Sequence, residues 1–363
     1  MRKLMLRTAA ALLAAVLLYP CPARAISAQK AILVDASTGR VLYEKDADSR
    51  SLIASTTKIM TALVVCEQCN VLDRVKIPKE AVGIEGSSMY LKEGEILTVQ
   101  ELLYGLMLHS GNDAAVALAI FCGGTVEEFA QRMNDKARSL GMTGSHFVNP
   151  NGLDAPEHYS TARDLAILTS HAMDNEIFAK TVATKTVTIG NRSLRNHNKL
   201  LWQVEGADGV KTGYTKAAGR ILVSSAVRQG RRLVAVTIND GNDWVDHASL
   251  YDEGFSKYQP RLLIRQGQNL GSVALFSGTE PEADVLAAEE FSYSMAEGET
   301  AEIVLSGPGF AYAPVVRGKV AGYAYVLIGD KVVGKVPVTY EKTVEQSVPE
   351  KKHFWEDWFG GQK

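Results

Sequence analysis

The spacing of apolar and polar positions changes character along the chain. Residues 31–34 and 41–43 are short apolar runs separated by Ser37-Thr38-Gly39, which predicts a hairpin. From Ser55 to Cys69 the chain carries Ile59, Met60, Leu63, Val64 and Val65 without Gly or Pro, the pattern of a mostly buried helix. Thr98 followed by Glu101 has the capping-box spacing and opens a helix to about Leu108. Thr125 and Glu128 repeat that spacing and open another, to about Leu140. Ser160 or Thr161 caps a third amphipathic stretch bearing Leu165, Ile167, Leu168 and His171. Residues 182–189, 221–227 and 233–238 are β-branched runs of strand length. Helices and strands come in clusters and not in βαβ alternation, so residues 26–258 read as an α+β domain with an antiparallel sheet.

Beyond residue 258 the pattern shifts. Residues 259–344 are rich in Val, Gly and Tyr, with short alternating runs at 272–276, 301–305, 321–328 and 331–338. Ser306-Gly307-Pro308-Gly309 and Gly329-Asp330 punctuate them as turns. No helix of normal length is legible there, and the region reads as a small β-sandwich or barrel-like domain. In the last segment, 345–363, Phe354, Trp355, Trp358 and Phe359 share one face of a helix at 100° per residue. That segment fits an interfacial amphipathic anchor making a peripheral membrane contact through residues 351–359. The alternative is a tail packed on its own protein or a partner.

The first residues have a third pattern. Arg2, Lys3 and Arg7 precede an unbroken apolar run from Ala9 to Leu18, and Ala23-Arg24-Ala25 is a small-x-small cleavage site. Residues 1–25 therefore read as a secretory signal peptide. Pro20 and Pro22 cut the run short of a membrane span, and Pro20 before Cys21 argues against a lipoprotein. The expectation is export, to the periplasm or the wall side of the cytoplasmic membrane.

Composition narrows the classes. With 46% hydrophobic and 22% charged residues and a net charge of −2, the chain is neither disordered nor basic enough for nucleic-acid binding. Without residues 1–25 it carries 35 basic and 41 acidic residues. Its 363 residues suggest two or three domains, and four cysteines are too few for a disulfide scaffold. Cys66 and Cys69 form a C-x-x-C, but no second pair or paired histidines accompany it. Packing residues, or a single disulfide among Cys66, Cys69 and Cys122, remain the readings, with no metal site.

Three motifs bear on chemistry. Ser55-Thr56-Thr57-Lys58 is an S-x-x-K, in which the hydroxyl and the amine at i and i+3 share a helix face. A serine needs a base, and a lysine serves if burial and a neighbouring cation lower its pKa. Ser27-Ala28-Gln29-Lys30 matches equally well, but it lies just past the cleavage site in an end expected to be flexible. Ser110-Gly111-Asn112 sits at a helix end, where the bland reading is a joint capped by Asn112 or Asp113. Lys211-Thr212-Gly213, followed by Tyr214, reads as an edge strand whose glycine permits close backbone approach.

In that order, S-x-x-K, S-x-N and K-T-G resemble the penicillin-recognising serine acyl-transferases. The stretches 53–62, 86–91, 109–115, 147–153 and 208–215 resemble, more narrowly, the low-molecular-mass penicillin-binding proteins that are D-alanyl-D-alanine carboxypeptidases. The resemblance implies a penicillin-binding/β-lactamase-like transpeptidase domain, an antiparallel sheet flanked by helices, followed by a small all-β domain. It implies a peptidoglycan stem peptide as substrate, β-lactams as covalent inhibitors and no cofactor. Ser55 would be the nucleophile, Lys58 its base, Ser110 a proton relay, and Asn112 a holder of Lys58 and of the substrate amide. Lys211 and Thr212 would take the terminal carboxylate, and the backbone N–H groups of Ser55 and Tyr214 the oxyanion. His197 reads as a packed histidine, the alternative being a place in the cleft near the carboxylate. A class A-like β-lactamase is the closest rival, and a non-catalytic cell-wall peptide binder the other.

Overall fold

The computed structural model describes residues 25–348. The leader and the aromatic face of the tail lie outside the described residues. The chain forms two compact units, one ending at Phe255 and one beginning at Ser256.

The first unit is built on a five-stranded antiparallel sheet. Strands β1 (Lys30–Asp35) and β2 (Val41–Lys45) form the expected hairpin. Small ladders join β3 (Arg74–Lys76) to β4 (Ile96–Thr98) and β5 (Thr186–Ile189) to β6 (Arg192–Arg195). Strands β7 (Ala207–Thr215), β8 (Gly219–Arg228) and β9 (Arg231–Ile238) complete the main sheet in the order β2-β1-β9-β8-β7, so β7 is an edge. Both faces are covered. Ile32, Val34, Val223, Val234 and Val236 enter one core, and the alternate Ala31, Leu33, Leu222, Leu233 and Ala235 enter a second. This explains why the strands read as continuous apolar runs and not as alternation.

The helices follow their caps. A 3-10 turn at Ala54–Thr57 runs into α1 (Lys58–Gln68). Helix α2 (Val99–Leu108) starts on a complete capping box, with Thr98 and Glu101 each bonding the other's backbone N–H. After α3 (Asn112–Gly123), α4 (Val126–Ser139) starts on half a box: Thr125 accepts from the Glu128 N–H, but no reciprocal bond forms. Thr161, not Ser160, caps α5 (Ala162–Ala172). The run 182–189 is not one strand: Val182 and Ala183 end α6 (Glu176–Ala183), and only β5 is extended. Asn175 starts that helix by accepting from the N–H groups of Ile177 and Phe178, and this cap outweighs the β-branched residues at its end. A short α7 (Leu200–Gln203) precedes β7, and α8 (Asp243–Lys257) packs Leu250 and Tyr251 into the second core.

The second unit is all-β over its described residues. Strands β10 (Tyr258–Ile264), β11 (Asn269–Phe276), β12 (Glu282–Ala287), β13 (Phe291–Ala296), β14 (Glu302–Ser306), β15 (Phe310–Tyr312), β16 (Val320–Ile328) and β17 (Lys331–Tyr340) make two sheets. One has the order β14-β16-β17-β12-β11-β15 and the other pairs β10 with β13. Their core holds Ile264, Val285, Val326, Val336 and Val338.

Candidate active site

Ser55 lies half-buried in the 3-10 turn, one step before the helix that carries Lys58. The Lys58 side chain is fully buried. Its Nζ lies 3.0 Å from Ser55 Oγ, 2.7 Å from Asn112 Oδ1 and 2.5 Å from the Asn151 carbonyl oxygen. The orientation of Asn112 is fixed from behind, because its Nδ2 donates to the Glu85 carbonyl at 2.5 Å. Gly86 makes room there: at φ +93°, a side chain on it would sit 2.7 Å from Asn112 Nδ2. Asn112 Oδ1 and the Asn151 carbonyl can only accept, so both take N–H bonds from Lys58. A neutral amine has two such hydrogens. Its lone pair is then left for the hydroxyl of Ser55.

The electrostatics favour that neutral amine. Burial, and then the charge of Lys211, drive the Lys58 pKa well below the ordinary lysine value, against a smaller opposing pull from Asp113. Lys211, buried on β7, is itself pushed down to about 7 by burial. Its Nζ donates to the Thr212 carbonyl at 2.8 Å. Gly213 packs closely on the protein's own backbone, since a Cβ there would meet the Ile53 carbonyl oxygen at 3.2 Å and the Ser55 nitrogen at 3.3 Å. The edge strand and the backbone of the Ser55 turn are thereby close to each other, with the exposed Tyr214 next in line.

Ser110, Ser55, Thr212, Gly213 and Tyr214 line one cleft of about 850 Å³. Ser110 occupies the left-handed backbone region at φ +62°, and no protein partner for its hydroxyl is found among the described residues. Gly111, not Asn112 or Asp113, is the cap residue of α3, and no side chain caps it. Asn112 serves Lys58 instead, and the buried Asp113 accepts from the backbone of Met89 and Leu91 and from Ser88 Oγ. These bonds pin the 86–91 stretch along the cleft.

The second S-x-x-K is not a site. Ser27 Oγ bonds Asp240 and Asp246, and Lys30 Nζ bonds Ser51 Oγ and the carbonyls of Ser49 and Arg50. The segment is tied down and not a flexible end; its polar groups are satisfied by neighbours far along the chain. His197 is also corrected. It is exposed, lines the cleft and stands tilted at 54° to His109, with ring centroids 5.3 Å apart. Burial, Lys211 and His109 hold it down at about 4, so it is neutral there.

Sequence reasoning missed three contributors. The Asn151 carbonyl is the third partner of Lys58, and Gly152 at φ +85° is required because a Cβ would fall 1.9 Å from the Ala54 carbonyl oxygen. His158, pushed down to about 4 by burial and His146, accepts from the Val148 N–H and bonds Thr57 Oγ1 at 2.8 Å. Its neutral ring ties the 147–153 loop to the 3-10 turn that carries Ser55. The unusual Asn149-Pro150-Asn151-Gly152 string was the available signal. The third contributor is the far wall of the cleft, where Arg195, Trp202, Trp244 and the Arg220–Asp243 pair stand.

Comparison with known proteins is consistent along the chain. A family model for D-alanyl-D-alanine carboxypeptidase matches residues 19–242, and one for the C-terminal domain of penicillin-binding protein 5 matches 258–346. The chain is 32% identical over 336 residues to D-alanyl-D-alanine carboxypeptidase DacF of Bacillus subtilis, spanning 88% of this chain and 86% of that one. It is 32% identical to DacC of Escherichia coli over 345 residues, covering 89% and 86%. Penicillin binding protein 5 from Haemophilus influenzae superposes with a TM-score of 0.77 at 28% identity, covering 88% of this chain and 98% of that chain. A variant of the Streptomyces K15 DD-transpeptidase gives 0.61 at 36% identity, covering 64% and 98%.

Proposed function

The chain belongs to the D-alanyl-D-alanine carboxypeptidase family, and on that premise we propose that Ser55 is its acylated nucleophile and Lys58 the base. The observation that carries this reading is the 3.0 Å approach of the buried Lys58 Nζ to Ser55 Oγ, with Asn112 Oδ1 and the Asn151 carbonyl placed to take its hydrogens. The substrate is a peptidoglycan stem peptide. Ser55 gives its proton to Lys58 as Oγ attacks the penultimate D-alanine carbonyl. The oxyanion is met by the backbone N–H groups of Ser55 and Tyr214, whose closeness is supported by the Gly213 contact. The proton passes through Ser110 to the departing amine, and the C–N bond breaks as D-alanine leaves. Water, activated by the same lysine, then adds to the ester and frees Ser55. Lys211 and Thr212 take the terminal carboxylate, and β-lactams acylate the same oxygen.

A class A-like β-lactamase needs a free deacylating carboxylate at this site. The one acid lining the cleft among the described residues, Asp243, is held by Arg220 at 2.7 Å, and Glu157 is not part of the lining. Residues 1–25 and 351–359 serve, in this reading, as export leader and peripheral anchor, which suits a wall substrate. Flotation of the full chain with liposomes, lost in a chain ending at Val348, would support the anchor; equal flotation rejects it. The chemistry is tested with labelled penicillin and a diacyl-L-Lys-D-Ala-D-Ala peptide. The expected result is an adduct on Ser55 and release of D-alanine, both abolished in Ser55→Ala. Rapid penicillin turnover without D-alanine release would replace this reading with the β-lactamase, and peptide binding that survives Ser55→Ala with neither reaction would leave the binder.

A further inference from the structure

The three cysteines after the leader occupy different environments. Cys66 is buried in α1, its thiol pushed up to about 12 by burial and by Glu67. Cys69 is the residue that caps the end of α1, and Cys122 stands in the last turn of α3. Both are half-buried, and the two thiols lie close enough to perturb each other's ionisation. Cys122 Sγ also donates to Gln68 Oε1 at 3.6 Å, and Arg132 of α4 donates to the same oxygen at 2.8 Å. Three helices thus meet at one thiol pair. The pair is electrically unequal. The Cys69 thiol and the Arg132 charge hold Cys122 at about 7, against burial, while Cys69 is raised by its bond to Cys122 and by burial. Of the two sulfurs, Cys122 is the more readily ionised and Cys69 the one that keeps its proton.

We propose that Cys69 and Cys122 are a cross-linking site that closes to a disulfide between the ends of α1 and α3. The same two helices carry Lys58 and Asn112 at their opposite, N-terminal ends. The bond therefore ties together the supports of the site without entering the cleft. The electron acceptor is an external disulfide, either of a thiol oxidoreductase or of an oxidised low-molecular-mass thiol. The Cys122 thiolate attacks one sulfur of that disulfide, the S–S bond breaks, and one thiolate leaves. Cys69 then releases its proton to solvent and attacks Cys122 Sγ, and the second thiolate leaves. The chain loses two electrons and the acceptor becomes two thiols. That the bond persists in the cell rests on the export reading, because disulfides survive outside the cytoplasm. The pairing itself does not rest on it.

The test uses the purified full chain equilibrated in glutathione buffers from fully reduced to fully oxidised, then alkylated in denaturant and digested without reductant. A peptide pair joined through Cys69 and Cys122 is expected in the oxidised sample, with Cys66 alkylated. Alkylated Cys69 and Cys122 at every poise, or a bond from either to Cys66, overturns the proposal. The bond encloses roughly 50 residues, so reduction should lower the temperature at which penicillin acylation is half lost by on the order of 5–10 °C. Cys69→Ser and Cys122→Ser should each show that same lowered temperature and no longer respond to reductant. An unchanged temperature on reduction, or a response to reductant that persists in the variants, overturns the stabilising role. Recovering the chain from cells linked, but reduced when residues 1–25 are deleted, joins this inference to export. A chain that links in the glutathione buffers and stays reduced in cells despite its leader counts against export alone.

Discussion

At Lys58 the functional claim reduces to counting hydrogens. Two fixed acceptors take two N–H bonds, and a charged ammonium would add a third hydrogen in a fully buried place beside Lys211. The motif spacing made Ser55 and Lys58 visible as a pair, because i and i+3 share a helix face. It did not reveal the Asn151 carbonyl, since a backbone acceptor carries no signature in residue type. Nor did it reveal that Gly213 makes room for the turn at Ser55 as well as for a ligand. A pH dependence follows at this scale. With Lys211 at about 7 in the free enzyme, its ammonium is lost as pH rises through that value, and with it the partner of the substrate carboxylate. The profile of kcat/KM should fall above about pH 7 on this group. Lys211→Arg stays cationic far above that range, so the fall should disappear or move up by more than one pH unit. A falling limb that stays in place in the arginine variant would remove Lys211 from this role.

Among the elements, legibility followed local cause. Capped helices were read correctly where the cap is complete, as at Thr98, and the sheet strands where β-branched runs are long. The run 182–189 failed because Asn175 starts a helix that overrides β-branched residues at its end. Helix α8 went unread because its buried face is mixed: Asp243, Asp246 and His247 point inward with Leu250 and Tyr251. Polar atoms there are matched within the protein: Asp243 to Arg220, and Asp246 to Ser27 and the Ala28 N–H. His247 Nδ1 lies 2.6 Å from Ser224 Oγ on β8, and Nε2 lies 3.0 Å from Thr237 Oγ1 on β9. Burial alone holds this ring at about 3. That value lies below the unfolded one near 6.5, so the unfolded chain takes up the proton first. The contribution is complete above about pH 6.5 and is lost as pH falls toward 3, by about 2 kcal/mol between 6.5 and 5. His247→Gln cannot titrate. Urea midpoints measured over that range should therefore fall less steeply for the variant than for the parent chain. Parallel slopes would mean the ring's proton plays no part in acid sensitivity.

For the whole molecule, the change of pattern near residue 258 was visible because alternation needs only a sheet with one wet face, whereas strands such as β13 and β15 were too short or too mixed to register. The four charged and polar groups Ser55, Lys58, Asn112 and Lys211 all belong to the unit that ends at Phe255. So do both cores that cover the five-stranded sheet. The second unit has its own core of Ile264, Val285, Val326 and Val338. Comparison points the same way, because the Streptomyces K15 DD-transpeptidase is covered over 98% of its length by only 64% of this chain. Among the described residues, burial, Lys211 and Asp113 set the protonation of Lys58, and both side chains belong to the first unit. A chain of residues 26–257 should then fold and take labelled penicillin on Ser55 at a rate within about threefold of the full chain, a barrier change of well under 1 kcal/mol, since it keeps every group named at the site. Circular dichroism of the shortened chain separates misfolding from lost chemistry. A folded chain that acylates a hundredfold more slowly would show that the β unit takes part in the reaction.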